Sequence, residues 1–109
     1  MEECSMSVAE KTAFARDILK DCEVIEQNPL KITLKTLNDA NEEATIRRIR
    51  ELIQNCDAFN IVSVVRGNRG HIKLCFKSKH DSREFIKFGT IDDNDLKRLI
   101  QSENSVLVS

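Results

Sequence analysis

Apolar residues along the chain alternate between two spacings, and each change of spacing marks a change of element. Ser7-Val-Ala-Glu10 has the form of a capping box, in which a hydroxyl and a carboxylate satisfy free amides at a helix start. The helix it opens is expected to run to about Asp21. Val8, Ala15, Ile18, Leu19 and Cys22 form its broad apolar stripe, with Phe14 alongside. Asn28-Pro29 then breaks the chain. From Leu30 to Leu37 the period drops to two, with Leu30, Ile32 and Leu34 on one side and Lys31, Thr33 and Lys35 on the other, the pattern of a half-buried strand. Asn38–Asn41 supplies a turn and a helix cap. Glu42–Cys56 returns to a helical period through Ile46, Ile49, Ile53 and Cys56.

Phe59–Val65 is β-branched and reads as a strand, Gly67-Asn-Arg-Gly70 as a hairpin turn, and His71–Lys77 as the partner strand with Ile72, Leu74 and Phe76 on one side. Lys79–Phe88 is expected to be a short helix burying Phe85 and Ile86, although Glu84–Thr90 also alternates as a strand does. For Asp95–Gln101, propensity alone favours a helix capped by Asp92 or Asp93.

Two of these segments carry a family pattern. Lys31–Leu37 (K-I-T-L-K-T-L) and Arg69–Phe76 (R-G-H-I-K-L-C-F) resemble the paired strand motifs of the RNA recognition motif, or RRM. The second segment follows the family at its basic residue, its glycine, an aliphatic position and the final aromatic. It departs at His71 and Lys73, which occupy the two positions that carry base-stacking aromatics, and Thr33 stands where a third is usual. The resemblance covers about two-thirds of the chain and implies an α+β, ferredoxin-like β-α-β-β-α-β sandwich with an added N-terminal helix. The run from Phe88 to Ile100 is similar to the way RRMs leave their second helix and enter a final strand, so the resemblance makes Asp95–Gln101 a strand. A helix there would favour a ferredoxin-like domain unrelated to RRMs. The expected organisation is an extension with one helix (1–29), an RRM-like domain (30–102) and a tail (103–109). Ser105-Val-Leu-Val-Ser109 reads as a cut through a longer protein.

Charge changes the picture more than composition does. The chain has 109 residues, 40% hydrophobic and 32% charged, a scale that suits one domain with a modest core. Net charge is only −1, yet residues 46–89 hold ten Lys/Arg against four Asp/Glu, while residues 1–45 hold five against ten. A basic centre between acidic ends suits nucleic acid, an acidic protein, or the acidic N-terminal helix of the chain itself. No apolar run approaches the roughly 18 residues of a membrane span. The acidic start lacks the basic-then-apolar order of a signal peptide. An intracellular location, cytoplasmic or nuclear, is expected. The four cysteines, Cys4, Cys22, Cys56 and Cys75, form no C-x-x-C pair, so reduced thiols are expected rather than a disulfide framework or a zinc site.

Strict alternation puts His71, Lys73 and Cys75 on the open side of the sheet beside Thr33 and Lys35. Base-stacking rings contribute about 1–3 kcal/mol each, and without them RNA contact there is expected to be weak, salt-sensitive and blind to sequence. Candidate RNA-contacting residues are Thr33, Lys35, Arg66, Arg69, His71, Lys73 and Lys77. The strand Asn60–Arg66 carries valine or isoleucine on both faces, as if neither were fully wet, so the N-terminal helix or a partner protein is expected to cover the open side. Candidate partner-binding residues are Val8, Phe14 and Ile18 on that helix and Arg47, Arg48 and Arg50 on the next.

His71 and His80 stand near no nucleophile–base arrangement, and no Gly-rich phosphate loop, G-x-S-x-G or H-E-x-x-H occurs. No catalytic residue, metal, cofactor or small-molecule substrate is expected. The expected function is non-catalytic: a protein–protein assembly module within an RNA-processing or RNA-silencing complex, pairing with another protein or a second copy of itself. The alternatives are direct binding of single-stranded RNA through the basic hairpin and sheet face, and a ferredoxin-like interaction domain unrelated to RNA.

Overall fold

The computed structural model describes residues 6–37 and 41–108. Its elements are α1 (Val8–Leu19), β1 (Cys22–Asn28), β2 (Lys31–Thr36), α2 (Glu42–Asn55), β3 (Ile61–Arg66), β4 (His71–Phe76), α3 (Lys79–Thr90) and α4 (Asp93–Val108). The strands form one antiparallel sheet in the order β1-β2-β4-β3. Both β2 and β3 run antiparallel to β4, so the two run parallel to each other and α2 is the crossover between them. The fold is α+β, with the helices layered on one side of the sheet.

Each expected cap is made by the residues that signalled it. Ser7 accepts from the Glu10 N–H while Glu10 accepts from the Ser7 N–H, closing the capping box of α1. Asn41 accepts from the Ala44 N–H at the start of α2. The remainder of the turn expected at Asn38–Asn41 lies outside the described residues. In the β3–β4 hairpin the left-handed positions are Arg69 (φ 50°) and Gly70 (φ 79°), and the Gly67 N–H donates to the His71 carbonyl at 2.8 Å.

Two elements differ from expectation. Cys22–Asn28, placed in an extension by the sequence, is strand β1, paired along β2 from Cys22↔Thr36 to Asn28↔Lys31 with a bulge at Ile25. It joins β2 through a turn at Pro29 and Leu30, which leaves Leu30 exposed rather than inside the strand. The final strand expected at Asp95–Gln101 is a correction: those residues lie within α4. Asp92 caps that helix, accepting from the Asp95 N–H at 2.8 Å. Leu96, Leu99 and Ile100 recur at helical spacing. The sheet edge beside β2, where a last strand would lie, is already held by β1.

The core sits between the helices and the sheet. Ile32 and Leu34 of β2, Ile72, Leu74 and Phe76 of β4, and Ile61 and Val64 of β3 face Phe14, Ala15 and Ile18 of α1, Ile46 and Ile49 of α2, and Phe85 and Phe88 of α3. Phe59, in the loop before β3, touches the rings of Phe14, Phe85 and Phe88 with centroids 5.8, 5.6 and 6.1 Å away. Where α1 crosses α3, a Cβ on Gly89 would stand 2.5 Å from Leu19 Cδ1, so a larger residue there would force the Leu19 side chain to move. Helix α4 is clasped to α1 at both ends: Glu103 accepts from the Val8 N–H at 3.0 Å, and Arg16 donates to the Ile91 carbonyl and to Asp93.

Candidate interaction surface

On the face away from the helices, the register of the strands sets three rows of side chains. Glu23, Lys35 and His71 form one, Glu26, Thr33, Lys73 and Val65 the next, and Asn28, Lys31, Cys75 and Ser63 the third. The alternation that places Ile72, Leu74 and Phe76 in the core therefore puts His71, Lys73 and Cys75 on the open side, as expected. Thr33, flanked by Glu26 and Lys73, is buried. Lys31, Lys35 and Lys73 make no ion pair among the described residues. Every phenylalanine of the chain is in the core, so the imidazole of His71 is the one ring the described open face offers to a base.

The other candidate RNA-contacting residues do not gather into one patch. Arg66 is held by Glu42 at 2.6 Å and Glu43 at 3.4 Å, at the start of α2. Arg69 is exposed at the hairpin tip, while Lys77 lies beyond the far end of β4, about 20 Å away at strand rise.

The candidate partner-binding residues also separate. Phe14 and Ile18 are core residues, and Val8 packs against the core, so the stripe of α1 is used within the chain. Helix α1 lies against α3 and α4 in the helical layer and does not cover the open face. The three arginines of α2 point in two directions, because successive helical residues are rotated by about 100°. Arg48 turns toward α1 and donates to the carbonyls of Asp17, Ile18 and Lys20, capping the C-terminal end of that helix. Arg47 and Arg50 turn toward β3.

There they line a groove of about 980 Å³ between α2 and β3. Strand β3 is an edge, and its outer side carries Val62, 67% exposed, and Val65, 43% exposed. Arg50 Nη2 donates to the Val64 carbonyl at 2.8 Å, so that carbonyl faces the groove rather than β4. Val62 sits at a bulge, between Ile61 and Ser63. Neither the groove nor the exposure of Val62 was located from sequence, although the double-sided valine pattern of this strand was its signal.

Comparison with known protein families, curated proteins and solved structures finds no match to this chain. The surface must be read from its own chemistry. Among the described residues no three His, Cys, Asp or Glu side chains stand close enough to share a metal ion, and no helix is long and apolar enough to cross a membrane.

Asp57, not singled out in the sequence, organises the approach to β3. Its carboxylate oxygens accept from the Phe59 N–H at 3.0 Å and the Ile61 N–H at 2.7 Å, and burial pushes its carboxyl above the usual range despite those bonds. Burial also pushes the Cys22 thiol up, against the nearby Arg48 charge, which makes it a poor nucleophile. Cys22 and Cys75 are free thiols, whereas Cys56 is disulfide-bonded. The expectation of reduced thiols is corrected at Cys56, because spacing along a chain does not limit which sulfurs a fold brings within reach.

Proposed function

We propose that this chain is a non-catalytic protein-interaction domain whose working surface is the β3 edge and the groove beside α2. One observation carries the reading: among the described residues β3 ends the sheet, with Val62 and Val65 exposed and no further strand beside it. Sheet edges are usually blunted by charged side chains, proline, a bulge or a covering segment, because unpaired backbone groups invite another strand. Between Ile61 and Arg66 there is neither Lys nor Pro, and the bulge at Val62 leaves Ser63–Arg66 in regular register. The split β2-α2-β3 unit with β4 inserted supports a ferredoxin-like architecture, and the helical Asp93–Val108 favours one unrelated to RRMs.

A photo-cross-linking residue placed at Val62, and separately at Glu23 on the opposite edge, tests this in extract of the source cells. The expected result is an adduct of defined mass from position 62 only, lost when Val65→Lys is added. A protein that stays monomeric, gives no adduct at position 62 and binds RNA tightly overturns the reading.

A second reading has its own support. Lys35, Lys73 and Lys31 stand in successive rows of the open face and make no ion pair among the described residues, which suits contact with phosphates of single-stranded RNA. It predicts anisotropy of a labelled RNA pool that falls steeply with salt, and a salt dependence reduced by about one logarithmic unit per lysine removed. Unchanged binding after all three are replaced by alanine ends it.

A further inference from the structure

We infer that the occupant of the β3 edge is an extended, acidic segment of a partner protein, and that Arg50 is a latch which that segment displaces. This rests on the interaction reading above. In an antiparallel ladder alternate residues turn both backbone groups toward the neighbouring strand. The Gly67 N–H faces β4, bonding His71, and the Val64 carbonyl faces away, bonding Arg50. Val64 and Arg66 therefore present their N–H and C=O groups to the groove. The bulge at Val62 limits regular pairing to Ser63–Arg66, enough for a short added strand. An incoming N–H that takes over the Val64 carbonyl replaces one hydrogen bond with another and frees the Arg50 guanidinium.

Charge decides which strand fits. The wall formed by α2 offers Arg47 and Arg50, which have no carboxylate within ion-pairing distance among the described residues. Glu43 is held by Arg66, which leaves Glu51 as the opposing charge on that wall. The β3 wall between Ile61 and Val65 carries no charge at all. A segment with valine-like residues toward Val62 and Val65 and carboxylates toward α2 meets both walls. A second copy of the chain fits less well. Two β3 strands paired about a two-fold axis through their midpoint would bring Arg50, anchored at Val64, against its own counterpart.

The test uses two fluorescein-labelled peptides on the full chain, Val-Asp-Val-Asp-Val and Val-Lys-Val-Lys-Val, read by anisotropy and by amide chemical shifts. Light scattering runs in parallel. The expected result is that the acidic peptide binds about fivefold tighter, the size two partly exposed ion pairs give, and shifts the amides of Val64 and Arg66. An R47A/R50A double variant is expected to bring the two affinities together without loss of fold. Equal affinities in the unaltered chain overturn the acidic-segment inference and leave the interaction reading standing. A dimer whose β3 amides shift on dilution assigns the edge to a second copy and also overturns it. If neither peptide moves residues 61–66 and no dimer forms, both the inference and the reading beneath it fail.

Discussion

On the helix side of the sheet, Phe14, Phe59, Phe76, Phe85 and Phe88 close into one aromatic cluster with the aliphatic residues of three strands. On the other side, the same strands show Lys31, Thr33, Lys35, His71, Lys73 and Cys75 and no phenylalanine. One face excludes water and fixes the fold; the other tolerates it and can be altered at little cost. The β3 edge belongs to neither. Its valines have the chemistry of the first face and the exposure of the second, and the proposed interaction surface rests on that mismatch.

The contrast can be broken most severely at Phe59. Phe59→Ala leaves a void touching three other rings and is expected to cost about 3–5 kcal/mol in urea unfolding. A loss below about 1 kcal/mol would mean that the loop, and not the cluster, holds this region. Gly89→Leu probes the contact between α1 and α3. Overpacking against Leu19 and Ala15 is expected to cost about 1–3 kcal/mol, and a neutral result would show that the helices part easily.

Asp57 sharpens the comparison by pH. Asp57→Ala orphans the N–H groups of Phe59 and Ile61 and is expected to cost about 1–2 kcal/mol. The folded chain raises this carboxyl's proton affinity above that of the unfolded chain, because burial disfavours the charge. Its favourable contribution is therefore full below the unfolded value and is lost as pH rises through the folded one. Measured against Asp57→Asn, which does not titrate, the unaltered protein should lose relative stability as pH rises above about 4, the unfolded carboxyl's value. The opposite slope would contradict the assigned direction. Smallest of all, Lys31→Ala, Lys35→Ala and Lys73→Ala should each change stability by less than about 0.5 kcal/mol. A larger loss from any of them would give the open face a structural role.

Much of the packed face was legible in the sequence, because Ile32 and Leu34, Ile46 and Ile49, and Ile72, Leu74 and Phe76 repeat at unambiguous periods. Strand β1 was not. Only Cys22 and Val24 of its seven residues turn inward, and the bulge at Ile25 breaks the alternation that would have marked it. For α4 the local signals, an Asp cap and helical spacing, pointed to a helix, and the family resemblance pointed elsewhere. The open-face residues were placed correctly by alternation alone. Arg48 and Arg66 could not be, since their partners at the end of α1 and the start of α2 are distant in sequence. The groove was hidden for a related reason: it exists only where α2 lies across the strand that follows it.

Because β1 takes the edge beside β2, all four described strands lie N-terminal to Lys77, and α3 and α4 come after them. During synthesis the whole sheet therefore emerges from the ribosome ahead of Phe85 and Phe88, which cover it. A nascent chain with β4 emerged and α3 still inside the exit tunnel can pair its sheet while part of the apolar side is bare. Such an intermediate is a natural client for a chaperone, and α3 is the segment whose arrival ends that exposure.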